Sequence, residues 1–167
     1  MTQAEQALIE ALYRKEISRE EFLAQFPLNV AQHPEYLVQL LRRAYQEQSA
    51  EDVDYALMIS HLAPGVPVGL TAILGELVVV DWHYMHENIV HWLQALQDPV
   101  SIDPLYQAAI EIPDLNCYGN YTIAVQATYA LHDIGTEEAK EKLTLLAGSA
   151  IPAIRTAATY QLQRLSS

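Results

Sequence analysis

Apolar residues recur along most of this chain at three- and four-residue intervals, and the polar residues between these runs mark where one helix stops and the next begins. Thr2 with Glu5, and Ser18 with Glu21, match the capping box, in which a hydroxyl and a carboxylate satisfy the free amides of a first turn. They predict two short helices. Pro34 preorganises another first turn, and Tyr36, Leu37, Leu40, Leu41 and Ala44 follow on one amphipathic face. Ser49 caps the next helix, which is expected to run to about Ala63 before Pro64-Gly65 stops it. Leu77-Val78-Val79-Val80 is the one strand-like run, and its helical neighbours make it a buried helix. The expected fold class is all-α.

The second half repeats. Ile123 to Leu131 and Ile154 to Leu162 align at a spacing of 31, with identity at the Ile, at Ala127/Ala158, Thr128/Thr159, Tyr129/Tyr160 and at the Leu. A fainter copy ends at Leu96: Leu96-Gln97-Asp98 precedes Ser101 as Leu131-His132-Asp133 precedes Thr136, a spacing of 35. Each unit reads as helix, tight turn, helix. Ile134-Gly135 closes one helix, Thr136 caps the next, and Ala139, Leu143 and Leu146 share a face of it. Two short helices cannot bury both apolar faces alone, so successive units must stack. The expected architecture is an α-α superhelix of antiparallel helix pairs, one continuous domain with a helical cap over residues 1–49 and repeats over 50–167.

The run Ala130-Leu131-His132-Asp133-Ile134-Gly135-Thr136 with Ala139, and its second copy, resembles HEAT repeats, particularly the short variety of phycobilisome-lyase-like proteins. That resemblance implies a solenoid, a fold that serves scaffolds, binders and some enzymes alike.

Composition narrows the class further. With 51% hydrophobic and 18% charged residues the chain is too apolar for intrinsic disorder. The single Cys117 cannot form an internal disulfide, which fits a reducing compartment. No basic start followed by an apolar run opens the sequence, and Pro67, Thr71, Gly75 and Glu76 break its longest apolar stretch. A cytoplasmic protein without a membrane segment is expected.

Charge is distributed unevenly. Between Arg43 and Lys140, 96 residues carry 14 aspartates and glutamates and no lysine or arginine, in a chain of formal charge -12. Such a surface repels nucleic acid and anionic lipid and accelerates association with a basic protein. Neither nucleic acid nor membrane is an expected partner.

The densest polar cluster is Asp81-Trp82-His83-Tyr84-Met85-His86-Glu87, followed by His91. On one continuous helix, with Asp81 capping its start, His83, His86, Glu87 and His91 would form a stripe. Histidine and carboxylate suit zinc or iron, but His-x-x-His-Glu matches no metalloprotease spacing. Deoxyhypusine hydroxylases, a HEAT-like family, repeat a His-Glu dyad; here His86-Glu87 moves by the repeat spacing onto Tyr121-Thr122 and Pro152-Ala153, so the dyad does not recur. No metal, cofactor or catalytic residue is expected, and His83 and His86 can equally be ordinary hydrogen-bonding residues between helices. Trp82 and Tyr84 beside Asp81 and Glu87 combine rigid aromatic area with charge, a mixture suited equally to an interface and, for the rings, to core packing. The stretch Asp114 to Tyr121, with Tyr118 and Tyr121, has the composition of an adaptable recognition loop, or of a plain connector.

A second resemblance rests on Gly75-Glu76-Leu77 through Asp81-Trp82-His83 and His86-Glu87, with Ile17-Ser18-Arg19-Glu20-Glu21-Phe22-Leu23. These segments resemble bacterial HEAT-repeat immunity proteins of polymorphic or contact-dependent toxin systems. The resemblance implies a cytoplasmic inhibitor of a cognate toxin. A basic toxin domain suits an acidic inhibitor whose carboxylates occupy places meant for phosphates. The expected partner-binding residues are Asp81, Trp82, His83, His86, Glu87, Asp98, Tyr118, Tyr121 and Asp133. A general interaction scaffold and a HEAT-like lyase or metal-dependent enzyme are the alternatives, and the sequence leaves the oligomeric state open.

Overall fold

In the computed structural model, which describes residues 1–63, 65–112 and 121–165, both predicted capping boxes are present. The Thr2 hydroxyl accepts from the Glu5 amide at 3.3 Å while the Glu5 carboxylate accepts from the Thr2 amide at 2.6 Å. They open α1 (Gln3–Tyr13), and Ser18 with Glu21 opens α2 (Arg19–Gln25) in the same way. The remaining helices are α3 (Glu35–Glu47), α4 (Ala50–Ile59), α5 (Leu70–Val78), α6 (His86–Leu96), α7 (Ile102–Glu111), α8 (Thr122–Ile134), α9 (Glu137–Ala147) and α10 (Pro152–Leu165). Short 3-10 turns, Ser60–Leu62 and Pro99–Ser101, follow α4 and precede α7. Among the described residues the secondary structure is entirely helical.

The helices fall into two compact units, Met1–Ile73 with Trp82–Tyr84, and Leu74–Asp81 with Met85–Ser167, the division passing through α5. In the first unit α1 packs on α2 and α4, and α3 on α4, around Ile9, Phe22, Leu37, Leu41 and Val53. Phe22 and Phe26 stack at 4.7 Å between ring centroids, with Tyr36 edge-on to Phe26. Polar side chains tie the helices together at the edges of this core. The Tyr55 hydroxyl donates to Glu10 at 2.7 Å, a bond that pushes its pKa up to about 12. The Met1 ammonium pairs with the buried Asp52 carboxylate. Partial burial raises the Glu5 carboxyl, but bonds from Thr2 and Tyr36 outweigh it and hold the group below its ordinary value.

In the second unit α8 packs against α6, α7, α9 and α10, and α9 against α7 and α10. The repeated residues explain the arrangement. Ile123 and Ile154, and Ala127 and Ala158, are buried, whereas Tyr129 and Tyr160, two residues after the alanines, are exposed. Small buried alanines let helices approach closely, which is why they recur. Gly75 serves the same end, since a Cβ there would lie 3.0 Å from Pro104 of α7. Gly135 ends α8 with φ of +68°, and the Thr136 hydroxyl then accepts from the Ala139 amide at 3.2 Å to start α9. Between helix pairs, Lys142 of α9 reaches Asp103 of α7 at 2.6 Å and lies 5.0 Å from the Tyr106 ring centroid.

Candidate functional site

The segment joining α5 to α6 departs from expectation. Val79 to Met85 are not helical, and α6 begins only at His86, with Met85 at its N-cap and no side-chain cap. Asp81 therefore does not cap a helix, and the stripe of His83, His86, Glu87 and His91 on one helix does not form. The reason lies in burial. Trp82 turns its ring toward Tyr45 of α3, at 6.3 Å, and His83 is fully buried with its ring 5.1 Å from that of Trp82. Neighbours on a helix point about 100° apart. An irregular turn lets two adjacent residues both go inward.

His86 is held from within the second unit. Its Nε2 lies 2.6 Å from the Val80 carbonyl and donates to it, which ties the first turn of α6 to the start of the preceding loop. Burial pushes its pKa below the ordinary histidine value against the opposing effects of that carbonyl and of Asp81. The imidazole is 2% exposed and so cannot touch a partner.

The exposed residues of this stretch include two acids and one aromatic. Asp81 and Glu87 are exposed, Glu87 within the first turn of α6, where a carboxylate favours the helix dipole. Tyr84 is 90% exposed. Two other expected contact residues are committed to bonds within the protein. Asp98 accepts from the Val100 amide at 3.1 Å and caps the turn before α7. Asp133 accepts from Gln94 of α6 at 2.7 Å and from its neighbour His132 at 3.0 Å. Burial raises the Asp133 carboxyl, yet these bonds and the Arg164 charge outweigh it and hold the group below its ordinary value. Tyr121 is half-buried in a left-handed conformation before α8, and Tyr118 lies outside the described residues.

The expected set thus divides by accessibility. Asp81 and Glu87 offer carboxylates to solvent, Trp82 and Tyr121 are half-buried, and His83 and His86 serve the interior. Among the described residues no group of three or more His, Cys, Asp or Glu side chains is placed to hold a metal ion. No described helix is long and apolar enough to cross a membrane. No protein-family model matches the chain, and no curated protein or solved structure matches it significantly.

Proposed function

We propose that the protein is a binding module whose acidic middle engages a basic protein surface, in the manner of a cytoplasmic immunity protein covering a cognate toxin domain. One observation carries this reading. In the stretch without lysine or arginine, Glu51, Asp54, Glu76, Asp81, Glu87 and Glu111 are exposed, and none forms an ion pair among the described residues. Carboxylates left without internal cations keep their field for a partner, which raises the rate of encounter and favours cationic surfaces. Tyr84, 90% exposed, would supply rigid aromatic area to such a contact.

The same reading takes α6 to α10 as a HEAT-like superhelix. The 31-residue spacing, the placing of α8 between α6 and α10, and the α7–α9 contact support it.

The test is binding to the basic toxin domain encoded beside this gene, with growth rescue of cells that express the toxin. Nanomolar affinity is expected, weakening at least about tenfold between low and physiological salt. Asp81→Asn with Glu87→Gln should lower affinity and flatten the salt dependence without unfolding the protein, because both side chains are exposed. No rescue, or binding indifferent to salt and to both substitutions, overturns the reading.

A further inference from the structure

α10 departs from the repeat at a fully buried position. Gln161 falls on Ala130 at the spacing of 31, and both are buried, so an alanine of α8 is matched by a side-chain amide in α10. The Gln161 Oε1 accepts from the Arg164 guanidinium at 3.1 Å, and its Nε2 has no acceptor among the described residues. Turning the amide over brings no relief, because Arg164 can only donate and would then face a second donor. A buried donor without an acceptor carries its desolvation cost until the group reaches water.

The seating of α10 is incomplete in other ways. It packs on α8 and α9 with Ile154 and Ala158 buried, but a shallow apolar groove of about 570 Å³ lies between α8 and α10, with Val125, Tyr129, Pro152, Thr156 and Tyr160 in its lining. Arg164, whose charge acts on Asp133 of α8, is exposed, so water weakens that tie. The turn leading into α10 has fastenings of its own. The Ile151 amide donates to the Ser149 hydroxyl at 3.2 Å, and Arg155 donates to the Ser149 carbonyl at 2.7 Å. Neither bond reaches α8 or α9, so both persist when α10 moves.

We propose that α10 is a hinged strap that opens from α8 and α9 about the turn at 148–151 while the rest of the second unit stays folded, and that Gln161 sets how often it opens. Closed, the strap buries Ile154 and Ala158 and strands one amide donor. Open, it gives up that apolar burial and hydrates the amide. The two terms oppose each other, so the amide narrows the gap between the closed and open states, and low-cost opening of one element follows. This device needs neither the acidic surface nor a basic partner.

Native-state hydrogen exchange of the full chain, read by mass spectrometry at low urea, tests it. Amides of 156–165 should exchange at least about tenfold faster than those of 125–134 and with little dependence on urea, as a local opening requires. Gln161→Met keeps about the same side-chain volume and removes the stranded donor, so it should slow exchange in α10 at least about fivefold. Arg164→Met, at an exposed position, leaves the Gln161 carbonyl without its donor and should speed that exchange about fivefold, with a smaller effect in the Gln161→Met background. Exchange of α10 at the rate and urea dependence of α8, or a Gln161→Met protein whose α10 exchange is unchanged or faster, would overturn the proposal.

Discussion

His86 shows how one side chain links burial to pH. Its pKa is lowered in the folded state, chiefly by burial, so the folded protein binds a proton there less readily than the unfolded chain. The associated stability is fully present above the unfolded value of 6.5 and is lost as pH falls from there through the folded value. Glu5 and Asp133 are lowered too, but they act only below their ordinary values of 4.5 and 3.8. Between about pH 7.5 and about pH 5.5 the protein should therefore lose denaturant resistance, and His86→Gln, which keeps a donor for Val80 but cannot titrate, should lose less. Equal losses in urea melts of the two proteins would remove His86 as the cause. The sequence left this residue two roles, hydrogen bonding inside the fold or a place on a contact surface, and did not choose between them. His83, His86 and Glu87 look alike as polar letters, and only packing separates them.

At the scale of elements, caps and turns dominate. Gly135 occupies the left-handed region that closes α8, so Gly135→Ala should cost about 1 kcal/mol, whereas Gly148, at φ of -85°, has no such requirement. Gly75→Ala sets a gain in helix propensity of about 1 kcal/mol against a Cβ 3.0 Å from Pro104. A larger change, Gly75→Val, must force α5 and α7 apart and should cost about 1–3 kcal/mol. Chemical denaturation of the Gly135 and Gly75 variants checks these costs, and a Gly135→Ala protein as stable as the parent would refute the turn argument. Four of the ten described α-helices were legible from their caps, because Thr2, Ser18, Ser49 and Thr136 act on amides within three residues. The seven residues before α6 were not, because Trp82 and His83 answer to α3 and the core, not to their neighbours in the chain.

For the whole molecule, charge is the governing quantity. Of the acids between residues 44 and 139, Glu47, Asp103 and Glu137 meet Arg43, Lys142 and Lys140, and Asp52 meets the Met1 ammonium. The pairs that lysine and arginine make here are exposed on at least one side and add little. Repulsion among the remaining carboxylates should then outweigh them, so added salt should stabilise the fold. Raising NaCl from about 10 mM to about 300 mM, which shortens the screening length from about 30 Å to below 8 Å, is expected to raise Tm. A Tm that falls over this range would mean that ion pairs hold the fold more than repulsion strains it.

The sequence by itself determined the helical class, the capped helix starts, the internal repeat and the acidic middle, because capping, periodicity and charge are properties of residues a few positions apart or of simple counts. Tertiary structure alone decided which polar residues are spent inside and which remain exposed. His83 and His86 are buried, Asp133 is bound to Gln94 of another helix, and Asp81, Tyr84 and Glu87 stay exposed. It also decided that Tyr129 and Tyr160, equal letters at a spacing of 31, line one groove. Burial is set by residues distant in sequence, and no local pattern encodes which of them meet.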